Sequence, residues 1–257
     1  MRGPGGGGFW SLASLAAVLL WATTPGAAPV RRQSRAPKAD PRAMAAKWHT
    51  PTPGATAPLD DAGRPKLVLH SINTDEVIAL TASSDEGGFG ADDIARATHL
   101  LRDTRSHQEH PVEPALLDLV YQAQRHFQAH EIRFVSSFRS PGRRGSGEHG
   151  HGRAIDMVVP GTTDQALVAW AEKQGFVGVG YYPRSGYVHL DVRASSYFWV
   201  DHGAPGQRSR DVPVRKREAA EADRAAKARG RHPVPGYRKP DQDAPGAPAA
   251  AADEGHG

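Results

Sequence analysis

The stretch His149-Gly150-His151-Gly152-Arg153-Ala154-Ile155-Asp156 does most to limit what this chain can fold into. It is followed by a distant segment, Tyr187-Val188-His189-Leu190-Asp191-Val192. The run from Ala154 to Val159 is short, apolar and rich in branched residues, which reads as a buried strand. The segment from Tyr187 alternates and reads as a second strand. Asp156 and His189 are then expected to project from neighbouring strands into one site. Gly150 and Gly152 let the chain turn tightly and bring His149 back over it. Two histidines and an aspartate make a mixed nitrogen and oxygen donor set. Three such ligands suit a catalytic zinc, one per chain, because they fill three tetrahedral positions and leave the fourth for water. The metal lowers the pKa of that water from 15.7 to about 7 and polarises the carbonyl under attack. Most of the 13 histidines must nonetheless be surface residues. The specificity lies in the whole pattern, H-x-x-G-x-A-x-D with a later V-H-x-D.

The remaining segments supply a frame for such a site. Lys66 to Leu69 and Glu76 to Leu80 alternate well enough for two strands, with Asn73-Thr74-Asp75 at the turn. Asp92 to Leu101 has helical spacing. Pro114 to Gln128 is the clearest helix, with proline in its first turn and an apolar face of Leu116, Leu117, Leu119, Val120, Ala123 and Phe127. Ile132 to Val135 is a short strand leading to Arg139. Thr163 to Gln174 is a further helix, capped by Thr162 or Thr163 and stopped at Gly175. Val177 to Tyr181 returns as a strand. The expected fold class is α+β, with helices packed against a small, mainly antiparallel sheet that carries the metal.

Composition bounds the domain on both sides. Phe9 to Ala22 is a short apolar core preceded by Arg2 and followed by the small residues Pro25-Gly26-Ala27-Ala28, so residues 1–28 read as an export signal. The apolar run falls short of the roughly 20 residues a membrane span needs, so no stable span is expected once the signal is removed. Residues 29–63 are rich in Ala, Pro, Arg and Lys without periodicity and read as a disordered linker. Residues 64–202 form the expected domain. Residues 203–257 read as a disordered, charged, Ala/Pro-rich tail, in which Glu218 to Arg229 has the composition of a transient helix. The net charge of +4 is compatible with binding an anionic polymer but too weak to argue for nucleic acid. The chain has no cysteine, hence no disulfide and no lipid anchored at one. Composition leaves the oligomeric state open.

At these residues the sequence resembles the LAS zinc peptidases, the group of lysostaphin-type enzymes, D-alanyl-D-alanine peptidases and hedgehog domains. Their hallmark is a histidine, then G-x-A-x-D, then a distal histidine. The resemblance is closest to the YcbK-like branch of murein endopeptidases and runs from Pro65 to Trp199. It includes Lys66 to Glu76, Leu100 to Arg105 with His110-Pro111, and Ser136-Ser137-Phe138-Arg139-Ser140. It implies a LAS-type peptidase fold with zinc on His149, Asp156 and His189. One departure concerns the serine usual two residues before the first histidine. Gly147 stands there, beside Ser146, in a loop that also holds Gly142 and Gly145. We read this as a more mobile entrance.

Peptide hydrolysis needs a nucleophilic water, a base and positive charge for the oxyanion. Arg139, just before the metal loop, suits a substrate carboxylate or the oxyanion. For the base, Ser185, Gly186 and Tyr187 precede His189 without offering one. Asp191 shares a strand face with His189 and is either the base or a partner that orients a histidine. His151 is open to a substrate or proton-shuttling role, and Tyr181, Tyr182 and Tyr187 to lining the cleft. The expected function is an exported zinc metallopeptidase of the periplasm or cell envelope. Its partner is peptidoglycan, whose peptide cross-links it hydrolyses with zinc-activated water. Two alternatives stay open: a zinc-stabilised murein-binding module without catalysis, and a D,D- or L,D-carboxypeptidase on the same substrate.

Overall fold

The computed structural model describes residues 41–142, 147–204 and 211–234. The chain divides into Met1–Lys38 and Ala39–Gly257, and every described residue belongs to the second unit. The signal expected over 1–28 lies outside the described residues, as do residues 29–40 of the expected linker and Gly145 and Ser146 of the metal loop.

Eight strands form one sheet. In chain order they are β1 (Leu67–Ser71), β2 (Val77–Leu80), β5 (Ile132–Ser136), β6 (Ala154–Val158), β7 (Val177–Tyr182), β8 (Tyr187–Val192), β9 (Tyr197–Asp201) and β10 (Asp211–Val214). A separate hairpin joins β3 (Ala82–Ser84) to β4 (Gly87–Phe89). The order across the sheet is β10-β9-β7-β8-β6-β5-β1-β2. The junctions of β5 with β1 and of β7 with β9 are parallel, and the others antiparallel. The fold is thus α+β as expected, around a mixed sheet larger than the small, mainly antiparallel one that the alternation suggested.

Alternation along the central strands gives the sheet two faces. Leu67, Leu69, Ile132, Phe134, Ile155, Met157, Val188 and Leu190 point to one face and join the hydrophobic core. The helices α2 (Ala91–Leu100), α3 (Pro114–His126) and α4 (Asp164–Ala171) lie close to the expected spans. The helix α3 begins with proline at its first turn, where the missing N–H costs nothing. Its buried Gln124 accepts from Val68 N (2.8 Å) and donates to Lys66 O (2.7 Å), tying the helix to β1. Thr163 caps α4 by accepting from Ala166 N (3.2 Å).

Ordered structure extends past both expected domain limits. Residues 211–214, placed in the tail by composition, form β10 on the sheet edge, and α5 (Lys216–Ala228) comes after it. Ala219 and Ala226 are buried in it. Asp223 accepts from Phe176 N (2.6 Å) and from Ser196 N (2.9 Å) and Oγ (2.6 Å). Gly175 sits where a Cβ would strike Ala222 and Ala226, so its glycine permits the close approach of α5 as well as the positive φ. On the other side, α1 (Pro41–His49) lies within the segment read as linker. Gly161 N donates to His49 O (2.8 Å), and Arg133 Nη1 donates to Trp48 O (2.9 Å) and Thr50 O (2.8 Å).

Candidate metal centre

The second face of the sheet carries the chemistry. Asp156 on β6 is in register with His189 on β8, so the two side chains stand beside each other on that face. His149 reaches them from a 3₁₀ turn, Gly147–His151, which precedes β6. Gly152 then takes a φ of +64°, and a Cβ there would meet Pro111 O. All three side chains are buried.

Three donor atoms converge. His149 Nε2 is 3.1 Å from His189 Nδ1 and 3.3 Å from Asp156 Oδ1, and His189 Nδ1 is 3.0 Å from Asp156 Oδ1. Ligand atoms about 2.0–2.1 Å from a tetrahedral zinc stand about 3.3 Å apart. The donor set therefore fits such an ion in both type and spacing. The other nitrogen of each ring is already committed. His149 Nδ1 meets Ser137 O (2.5 Å), and His189 Nε2 meets Asp191 Oδ2 (2.9 Å). Each ring can donate from that nitrogen, which leaves a lone pair on the nitrogen facing the cluster. Ser137 is itself fixed by donating from Oγ to Ala154 O (2.8 Å).

The electrostatics arise from this crowding. Burial alone pushes the His189 imidazole down, but its hydrogen bonds to Asp156 and Asp191 outweigh burial and bring its pKa up to about 9. Burial pushes the Asp191 carboxyl up, but hydrogen bonds from His189 and Arg193 outweigh it, leaving about 2. His149 is held below the usual imidazole range, chiefly by burial. Asp156 is pressed upward by burial, yet the neighbouring histidines and Arg139 hold it well below the ordinary carboxylate range.

Asp191 lies directly behind His189 and has no exposed surface. Its Oδ1 accepts from Gly178 N (3.0 Å) and Arg193 Nε (2.5 Å), and its Oδ2 meets His189 and Arg193. This geometry lets Asp191 hold the His189 ring in one orientation. Arg139 pairs with Asp156 Oδ2 and donates from Nε to Ser136 Oγ (3.0 Å). Its loop is anchored by buried Asp103, which accepts from Ser140 N (2.8 Å), and by Phe138 N donating to Leu101 O (3.0 Å). Those bonds explain why the segment Leu100 to Arg105 accompanies the metal motif. His151 is half-buried at the end of the 3₁₀ turn. Tyr182 and Tyr187 stack at 4.7 Å, and burial followed by the nearby Asp156 raises the Tyr187 hydroxyl above the phenol range. Tyr181 turns elsewhere and accepts from Gln165 (2.7 Å).

Several contributors had no place in the sequence reading. Trp199 packs its ring 5.0 Å from that of His189 and donates to Tyr182 Oη (3.2 Å). Arg193 continues the His189, Asp191 alternation, a signal that was available. Gly178 and Gly180 face Asp191 and His189 across the β7–β8 ladder. A Cβ on Gly178 would land on the Asp191 carboxylate and the Arg193 guanidinium, and one on Gly180 would land on the Trp199 indole.

Comparison with known proteins places the chain in a family. The model of the Peptidase_M15_2 family, described as peptidoglycan L,D-endopeptidase MepK, matches residues 61–197. The chain is 29% identical over 154 residues to the peptidoglycan L,D-endopeptidase MepK of Escherichia coli strain K12, covering 55% of this chain and 84% of that protein. It is 30% identical over 139 residues to a probable peptidoglycan L,D-endopeptidase MepK of Haemophilus influenzae, covering 49% of this chain and 74% of the relative. No solved structure matches. The resemblance to murein endopeptidases read from the motif therefore holds.

Proposed function

The chain belongs to the Peptidase_M15_2 family, and on that footing we propose that it is an exported zinc endopeptidase that cuts peptide cross-links of peptidoglycan, with the L,D-endopeptidase activity named for its relatives. The observation that carries the reading is the convergence of His149 Nε2, Asp156 Oδ1 and His189 Nδ1 at 3.0–3.3 Å, each ring anchored through its other nitrogen. A zinc ion held by these residues supplies Lewis acidity and a water acidified to a pKa of about 7.

The chain's own residues do the rest. Ser137 O and Asp191 hold the two imidazoles in one tautomer and orientation. Asp191 is thus a positioning residue, and of its two expected roles the base is given up, because a base must reach the proton it takes. Arg139 holds Asp156 so that Oδ1 faces the histidines. Its guanidinium also places positive charge at the cleft, where it favours a substrate carboxylate or the oxyanion. Tyr182, Tyr187 and Trp199 wall the site on the β7–β9 side. Residues 1–28 deliver the chain to the envelope, where its substrate lies. No helix among the described residues is long and apolar enough to cross a membrane.

Muropeptide mass spectrometry tests this. Sacculi incubated with zinc-loaded protein are expected to lose cross-linked dimers, and chelated protein should leave them intact. Loss of a terminal residue with dimers intact would make the protein a carboxypeptidase. A folded, zinc-loaded chain that binds sacculi and releases nothing would replace the enzyme by a binding module.

A further inference from the structure

A concavity opens on the same sheet face as the candidate metal centre. It encloses about 570 Å³ between the end of α1 and strands β1 and β5. Trp48, Pro51 and Ile72 give it apolar walls, and Lys47, His70 and Asp75 give it a polar rim. Its outer wall is fixed in place. Arg133 donates to the carbonyls of Lys47, Trp48 and Thr50 and is itself held by Glu131 at 2.7 Å. Burial pushes the Glu131 carboxyl up, but Arg133 outweighs it and keeps it charged. The His49 ring lies 3.3 Å from both Thr162 O and Gly186 O, which fastens α1 beside the turn that leads into β8.

The register places this concavity relative to the metal site. His70 pairs with Arg133, Arg133 with Val158, and Ser136 with Asp156. Asp156 and Val158 are two residues apart, so they share a face, and with them Arg133 and His70. Strands are about 4.8 Å apart and rise about 3.3 Å per residue. His70 is therefore two strands across and, counted along β6 from Val158, two residues along from Asp156, a distance of about 12 Å, and Ile72 is nearer. An extended peptide covers about 3.3–3.6 Å per residue, so three or four residues span the interval.

We propose that this concavity is a saccharide subsite, which seats an N-acetylated sugar of the glycan strand while the peptide hanging from that sugar reaches the metal centre. The inference rests on the peptidoglycan endopeptidase reading. A half-buried indole offers a broad apolar plane for a sugar ring. The polar rim fixes a ligand's orientation through the exposed Lys47 and Asp75, while His70 is held between Asp75 (3.0 Å) and Glu131 (3.1 Å). The distance matches the short peptides of this polymer.

The test separates the subsite from the chemistry. The peptide-free disaccharide of N-acetylglucosamine and N-acetylmuramic acid is titrated into the full chain, with and without zinc, and binding is read from the NMR shift of the Trp48 indole. Saturable binding that is insensitive to zinc supports the subsite, even if no cleavage is ever found. A flat titration overturns it. Where cleavage occurs, the ratio of kcat/KM on sugar-bearing to sugar-free cross-linked peptides is measured in Trp48→Ala and Trp48→Phe. The ratio should fall about tenfold in the first and less than threefold in the second, which keeps an aromatic plane. An unchanged ratio in Trp48→Ala, including an equal loss on both substrates, overturns the proposal.

Discussion

The two faces of the central sheet are built from the same strands and do opposite work. On β8, Val188, Leu190 and Val192 enter the core, while His189 and Asp191 stand on the other face with Asp156. On β6, Ile155 and Met157 alternate with Asp156 in the same way. The core face is tolerant in kind: apolar groups of suitable volume serve. The site face depends on individual atoms, since shifting one residue would exchange the faces completely. A close-packed core behind each ligand is what makes donor positions on the front reproducible.

Neighbouring residues on β8 give the sharpest way to break this comparison. His189→Ala should leave the fold in place and reduce cleavage on the order of a thousand-fold or more, since several kcal/mol of metal-derived stabilisation is lost. Cleavage assays with circular dichroism check it, and an active variant would remove His189 from the site. Leu190→Ala should do the reverse. It should cost about 2–5 kcal/mol of stability, seen in denaturant unfolding, while the activity per folded, zinc-loaded molecule is largely kept. Asp191→Asn tests the layer between the faces. Its zinc affinity should fall about 10–100-fold, measured by competition with a chelating dye. Near-complete loss of turnover with unchanged affinity would instead favour the base.

The smallest effect is a proton. His189, raised to about 9, keeps its proton at neutral pH in the metal-free chain, and zinc must displace it. Zinc binding should therefore release a proton from this site below about pH 9, and affinity should rise about tenfold per pH unit approaching that value. Calorimetry in buffers of different ionisation enthalpy measures this. The sign for the metal-free fold is opposite. A raised histidine pKa adds stability that is fully present below the unfolded value near 6.5 and is lost as pH rises through about 9.

Much of this was legible because large apolar residues mark period. The alternation of β6 and β8 and the apolar face of α3 announce themselves. The helix α5 was legible only as the transient helix of Glu218 to Arg229; its packing was not, since it buries alanines such as Ala219 and Ala226, which composition alone cannot tell from a solvated charged run. The parallel junctions β5–β1 and β7–β9 were invisible because alternation within a strand does not say which strand it pairs with. Among the donors, the pattern from His149 to Asp156 and the later His189 were readable from spacing. The depth of Asp191 was not, because it depends on Gly178 across the ladder, where the informative feature is a missing side chain.

That glycine makes the site observable from outside. Gly178 N donates to Asp191 Oδ1 at 3.0 Å, so its amide proton is sequestered only while β7 lies against the Asp191, Arg193 pair. Exchange of that single amide with deuterated solvent clocks the opening of the support behind His189. It does so on a residue that has no side chain and is not one of the candidate ligands.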